Sequence, residues 1–122
     1  MARILIVEDN ADNMSLATML LESEGYAVLG APDAEAGLTL ARDERPHLIL
    51  MDIQLPGMDG LEATRLLKRD DATRTIPVIA LTSLAMKGDE ERIRAAGCDG
   101  YIAKPMRYQD FLTTVAAQLA QP

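Results

Sequence analysis

The chain reads as one α/β unit: a doubly wound, five-stranded parallel sheet in the order 2-1-3-4-5, with helices on both faces. Short apolar runs alternate with longer amphipathic segments five times along the 122 residues. Those runs are mostly continuous rather than alternating, as in strands covered on both sides. The connections are short, so each strand–helix–strand unit makes a right-handed crossover onto a parallel neighbour.

Ile4–Val7 opens the sheet. A helix follows from about Ala11 to Glu24, with Asn10 placed to cap its N-terminus and Gly25 to stop it. Tyr26–Leu29 is the least aliphatic of the early strands, which suits a sheet edge. The second helix begins after Pro32-Asp33, carries Ala34, Leu38 and Ala41 on one stripe, and must finish before Pro46. Leu48–Met51 is the third strand, followed by a helix from about Leu61 to Lys68 that buries Ala63, Leu66 and Leu67. Val78–Leu81 precedes a weakly amphipathic helix near Asp89–Ala96, whose one large apolar residue is Ile93. Tyr101–Ala103 and a helix with Phe111, Leu112, Val115, Ala116 and Leu119 on its apolar stripe complete the pattern. The first helix holds more apolar residues than one buried stripe needs, Met14 and Leu16 among them, which leaves some for a partner helix.

Composition narrows the function. The 12 Lys and Arg against 19 Asp and Glu give a net charge of −7, which opposes binding to a phosphate backbone. One Cys excludes an internal disulfide and fits a reducing compartment. No apolar run reaches the ~18 residues of a membrane span. The expectation is a soluble, cytoplasmic, single domain over residues 1–122 with no output module, no nucleic-acid partner and no membrane partner.

In an open parallel sheet, ligands bind beyond the carboxyl ends of the strands, where strand order reverses. The residues closing the strands are therefore the informative ones: Glu8-Asp9, Asp52, Thr82-Ser83 and Lys104-Pro105. With the first and third strands adjacent, Glu8, Asp9 and Asp52 crowd together and repel one another unless a cation intervenes. A hard divalent ion such as Mg²⁺ suits that donor set. Lys104 adds a positive charge for a phosphate oxygen, and Thr82 a hydroxyl. The group reads as a metal-dependent phosphoryl site with a carboxylate nucleophile.

The order Glu8-Asp9, Asp52, Thr82, Tyr101, Lys104-Pro105 resembles the receiver domain of two-component response regulators across the whole chain. The loop Asp52-Ile53-Gln54-Leu55-Pro56-Gly57-Met58-Asp59-Gly60 is similar to that family's segment after the phosphoacceptor. The segment Ala85–Arg92 with Ala96-Gly97-Cys98 resembles single-domain regulators of the DivK type, and receivers fused to hybrid histidine kinases are similar there. The resemblance implies a flavodoxin-like fold and a phosphoacceptor signalling domain, not a conventional enzyme. It implies that Asp52 takes a phosphoryl group from a histidine kinase or phosphotransfer protein. Glu8, Asp9, Asp52 and the Gln54 backbone carbonyl would arrange Mg²⁺. Thr82 and Tyr101 would turn inward as switch residues, Lys104 would pair with the phosphate, and Lys104-Pro105 would carry a cis peptide. Output would be protein–protein, through a surface near Met86, Ile93, Tyr101 and Met106. Ser83 stands where the family usually has Ala, and Leu84 occupies a position that tunes hydrolysis in the family.

Other readings compete. A haloacid-dehalogenase-like hydrolase needs a second acid two residues after its nucleophile, and Gln54 is there instead. A flavin binder wants a Ser/Thr/Gly loop after the first strand, where Glu8-Asp9 has the wrong sign. A receiver segment related to hybrid kinases, or a docking module acting without phosphorylation, is the alternative. His47 lies at the far end of its strand and reads as a surface histidine, Cys98 as a small packed residue, and Asp89-Glu90-Glu91 as solvated charge at a helix N-terminus.

Overall fold

The computed structural model describes residues 2–83, 87–104 and 107–120, with only the backbone of Lys87. The sequence positions Leu84, Ala85, Met86, Pro105 and Met106, and with them the expected cis peptide, lie outside the described residues. Among the described residues ten elements alternate: β1 Arg3–Val7, α1 Ala11–Ser23, β2 Ala27–Ala31, α2 Ala34–Glu44, β3 Leu48–Asp52, α3 Gly60–Arg69, β4 Val78–Thr82, α4 Lys87–Ala95, β5 Gly100–Ala103 and α5 Tyr108–Leu119. All strand pairings are parallel, in the order β2-β1-β3-β4-β5.

The continuous apolar runs have the cause expected of them. Leu5, Val7, Ile49, Met51, Val78 and Ala80 join the core beneath α2, α3 and α4. Their chain neighbours Ile4, Ile6, Leu48, Leu50, Ile79 and Leu81 join the core beneath α1 and α5. Period-two alternation thus feeds two cores, and every residue of β3 and β4 is buried. On α5, Phe111 and Val115 are buried, Leu112 and Leu119 pack at the margin, and Ala116 is exposed, outside the stripe expected of it.

Local chemistry sets the helix ends. Asn10 caps α1 by accepting from the Asn13 amide at 2.9 Å, and Gly25 terminates it at a φ of +87°. Asp33 and Asp59 cap α2 and α3 in the same way, accepting from Ala36 and Glu62 at 2.8 and 2.9 Å.

Several boundaries differ from the sequence reading. β2 starts at Ala27 and continues through Ala31, because register with Arg3–Val7 carries the ladder past Leu29. Helix α4 begins at Lys87, two residues early, which puts Asp89 and Glu90 in its first turn. On α3, Leu66 is half-buried instead of core, and Thr64 takes a fully buried place by donating to the Gly60 carbonyl at 2.8 Å. Met14 is half-buried and packs at the core margin beside Gly30, whereas Leu16 and Met19 are exposed on α1. Cys98 is buried with Sγ 3.8 Å from the Thr64 hydroxyl, and His47 is exposed, its Nδ1 accepting from the Arg3 amide at 3.0 Å.

Candidate functional site

The carboxyl ends of β1, β3, β4 and β5 converge. Glu8 directly follows β1 and is held by its amide donating to the Ala31 carbonyl at 3.0 Å. Asp52 is the last residue of β3, and the strand is extended by Ile53 donating to Leu81 at 3.2 Å. The Lys104 amide donates to the Thr82 carbonyl at 2.7 Å, which ties the end of β5 to that of β4. One carboxylate oxygen from each of Glu8, Asp9 and Asp52 lies within 4.8 Å of the other two. Glu8, Asp52 and Thr82 are buried, and Asp9 is exposed at the rim.

Lys104 provides the countercharge. Its Nζ lies 2.9 Å from Glu8 Oε1 and 3.2 Å from Asp52 Oδ2. The other carboxylate oxygens have backbone donors: the Gln54 amide reaches Asp52 Oδ1 at 2.9 Å, and the Asn10 amide reaches Glu8 Oε2 at 3.3 Å. Burial raises the Glu8 pKa, reinforced by the Asp52 carboxyl beside it, against the lowering effects of Lys104 and the Asn10 amide. For Lys104, burial pulls downward, but the hydrogen bond to Glu8 and the Asp52 charge outweigh it and the pKa is raised. One ammonium thus shares two carboxylates while a third stands close by, a donor set of hard oxygens with surplus negative charge. Such a set fits a hard divalent cation such as Mg²⁺.

The structure therefore brings together Glu8, Asp9, Asp52, Thr82 and Lys104. Gln54 stands at the rim through its amide contact with Asp52. Tyr101 is half-buried on β5, and its hydroxyl donates to Glu90 Oε2 on α4 at 3.4 Å. Glu90 also pairs with Arg94 at 3.2 Å, and Asp89 with Arg92 at 3.2 Å. These two acids stand in the first turn of α4, as the sequence reading placed them, but are ion-paired there as well as solvated. A further contact was not read from the sequence: the Ser83 hydroxyl donates to Gln54 Oε1 at 2.6 Å, bridging the loops after β4 and β3. A polar residue in place of the family's usual Ala was the available signal.

Residues 4–116 match the family model for the response regulator receiver domain. The polar-differentiation response regulator DivK of Brucella anthropi is 53% identical over 116 residues, covering 95% of this chain and 94% of that protein. DivK of Brucella melitensis is 51% identical with the same coverage. Among solved structures, the receiver domain of a Pseudomonas aeruginosa sensor histidine kinase superposes with a TM-score of 0.91 at 35% identity, covering 98% of both chains; it holds a magnesium ion in its active-site cleft. Chemotaxis protein CheY4 of Vibrio cholerae superposes with a TM-score of 0.91 at 26% identity, covering 96% of this chain and 98% of that one. Sequence and fold agree over almost the whole length, and the chain belongs to the response regulator receiver domains, the signalling domains of bacterial two-component systems.

Proposed function

We propose that this chain is a stand-alone cytoplasmic receiver that accepts a phosphoryl group on Asp52 from a histidine kinase or histidine phosphotransfer protein. The observation that carries this reading is the convergence of the Glu8, Asp9 and Asp52 carboxylates within 4.8 Å, with Lys104 Nζ on two of them. In the transfer, an Asp52 carboxylate oxygen bonds to phosphorus as the bond to the donor imidazole nitrogen breaks, and the electron pair returns to the ring. Asp52 is suited to this because its geometry is fixed by the Gln54 amide on one oxygen and Lys104 on the other.

Glu8, Asp9, Asp52 and the Gln54 backbone carbonyl would hold Mg²⁺. Bound there, the ion supplies charge neutralisation for the transferred phosphoryl oxygens. Lys104 pairs with a phosphoryl oxygen once Asp52 carries the acyl phosphate. Thr82, buried at the end of β4, donates its hydroxyl to another. The added dianion then favours the arrangement with Thr82 and Tyr101 turned inward, which remodels the α4–β5 surface around Ile93. Output follows as phosphorylation-dependent binding of a downstream protein. Leu16 and Met19, exposed on α1, offer apolar contacts to a helix of the phosphodonor protein.

The test is an intact-mass spectrum after incubation with acetyl phosphate, with and without Mg²⁺. A single Mg²⁺-dependent phosphoryl addition that Asp52→Asn lacks is the expected result. An undiminished addition in Asp52→Asn would refute the assignment.

A further inference from the structure

The Ser83–Gln54 bridge fixes a side chain at the mouth of the site. Gln54 is held at two points, because its backbone amide donates to Asp52 Oδ1 at 2.9 Å and its side-chain Oε1 accepts from Ser83 at 2.6 Å. Both residues are exposed, whereas Asp52 is buried. A carboxamide has one acceptor oxygen and two N–H donors. The Ser83 hydroxyl engages that oxygen from the loop after β4, which occupies the acceptor of the carboxamide. An attacking water gives up a proton and is oriented by an acceptor, a part that a glutamine side chain plays in enzymes that hydrolyse nucleoside triphosphates.

We propose that Ser83 is a positioning residue that prolongs the life of phosphorylated Asp52 by engaging Gln54 Oε1. This rests on the reading of Asp52 as phosphoacceptor and adds control of the reverse step. In that step the water oxygen bonds to phosphorus, the bond from phosphorus to the Asp52 carboxylate oxygen breaks, and its electron pair returns to the carboxylate. One water proton stays on the new P–OH group and the other passes to a phosphoryl oxygen, so dihydrogen phosphate leaves. Without the Ser83 hydroxyl, Oε1 is free to turn into the cleft and hold the water in line.

The experiment loads wild type, Ser83→Ala and the double variant Ser83→Ala/Gln54→Ala with acetyl phosphate and Mg²⁺, removes the donor, and follows loss of the phosphoryl group by intact mass. Ser83→Ala is expected to lose it about fivefold faster, the factor that one hydrogen bond gives in a transition state. The double variant is expected to lose most of that acceleration. An unchanged or slower loss in Ser83→Ala would overturn the proposal, as would full acceleration in the double variant. A wild type that takes up no phosphoryl group, or takes it up as Asp52→Asn does, would remove the acceptor assignment and this inference with it. The two failures therefore look different.

Discussion

Burial drives the Glu8 carboxyl above the ordinary glutamate range, and the neighbouring Asp52 carboxyl pushes the same way. A folded-state pKa raised above the unfolded value favours the fold below the unfolded value, and that contribution is lost as pH rises through the folded one. The ionised form of Glu8 therefore weighs against the metal-free fold, and a bound cation offsets it. Protons and Mg²⁺ then compete for the same oxygens, so Mg²⁺ affinity should begin to fall on acidification above the ordinary glutamate range. Asp9→Ala should weaken binding by about tenfold or more, at least what losing an outer-shell group costs a metal site. Mg²⁺ titrations of both proteins across that pH interval check this; a pH-independent affinity, or an unaltered one in Asp9→Ala, would contradict the ligand assignment. These residues were legible because each closes a strand, and topology alone carries strand ends to one edge. The Ser83–Gln54 and Tyr101–Glu90 contacts were not, because they depend on the rotamers of side chains that no pattern of spacing encodes.

At the scale of elements, the close approach of helix to strand decides where side chains are tolerated. A Cβ on Gly60 would clash with the Asp52 carbonyl oxygen and lie 2.6 Å from Ile53 Cα, so α3 begins directly on the backbone that presents Asp52. Alanine is the better helix former by about 1 kcal/mol, yet backbone contact overrides that gain. Gly60→Ala should destabilise the protein by about 1–3 kcal/mol, as forced overpacking does, and should slow loading of Asp52. Urea unfolding together with the mass assay reads both; a variant as stable as wild type would show that α3 can move off β3 without cost. Element identity was legible from periodicity and caps, Asn10 and Gly25 at α1 being the clearest case. Boundaries were less so: β2 runs on through Gly30 and Ala31 because its partner strand does, and the residues themselves carry no strong strand preference. Leu66 was read as core from its type, but α3 turns Thr64 into the buried place instead.

Across the whole molecule, the sheet separates two cores while its carboxyl edge joins four strands at one site. Tyr101 belongs to both descriptions: it packs at the margin of one core and bonds through its hydroxyl to α4. If phosphorylation is read out through that contact, Tyr101→Ala should still load Asp52 but bind the downstream protein equally in both states. Affinity for that partner, measured with and without phosphorylation, decides it; a preserved difference would assign the readout to other residues. The fold as a whole was legible because two covered faces require continuous apolar strands. The proposed conformational response was not, since one sequence would have to encode both states.

The buried Cys98 has its own consequence. Burial holds its thiol above the ordinary cysteine pKa, and it lies behind the α3 residue Thr64. As the chain's single sulfhydryl, with 7% of the residue exposed, it meets a water-borne reagent chiefly when the corner between α3 and β5 comes apart. The molecule thus carries a clock for its own breathing, started by reagent and advanced by each opening.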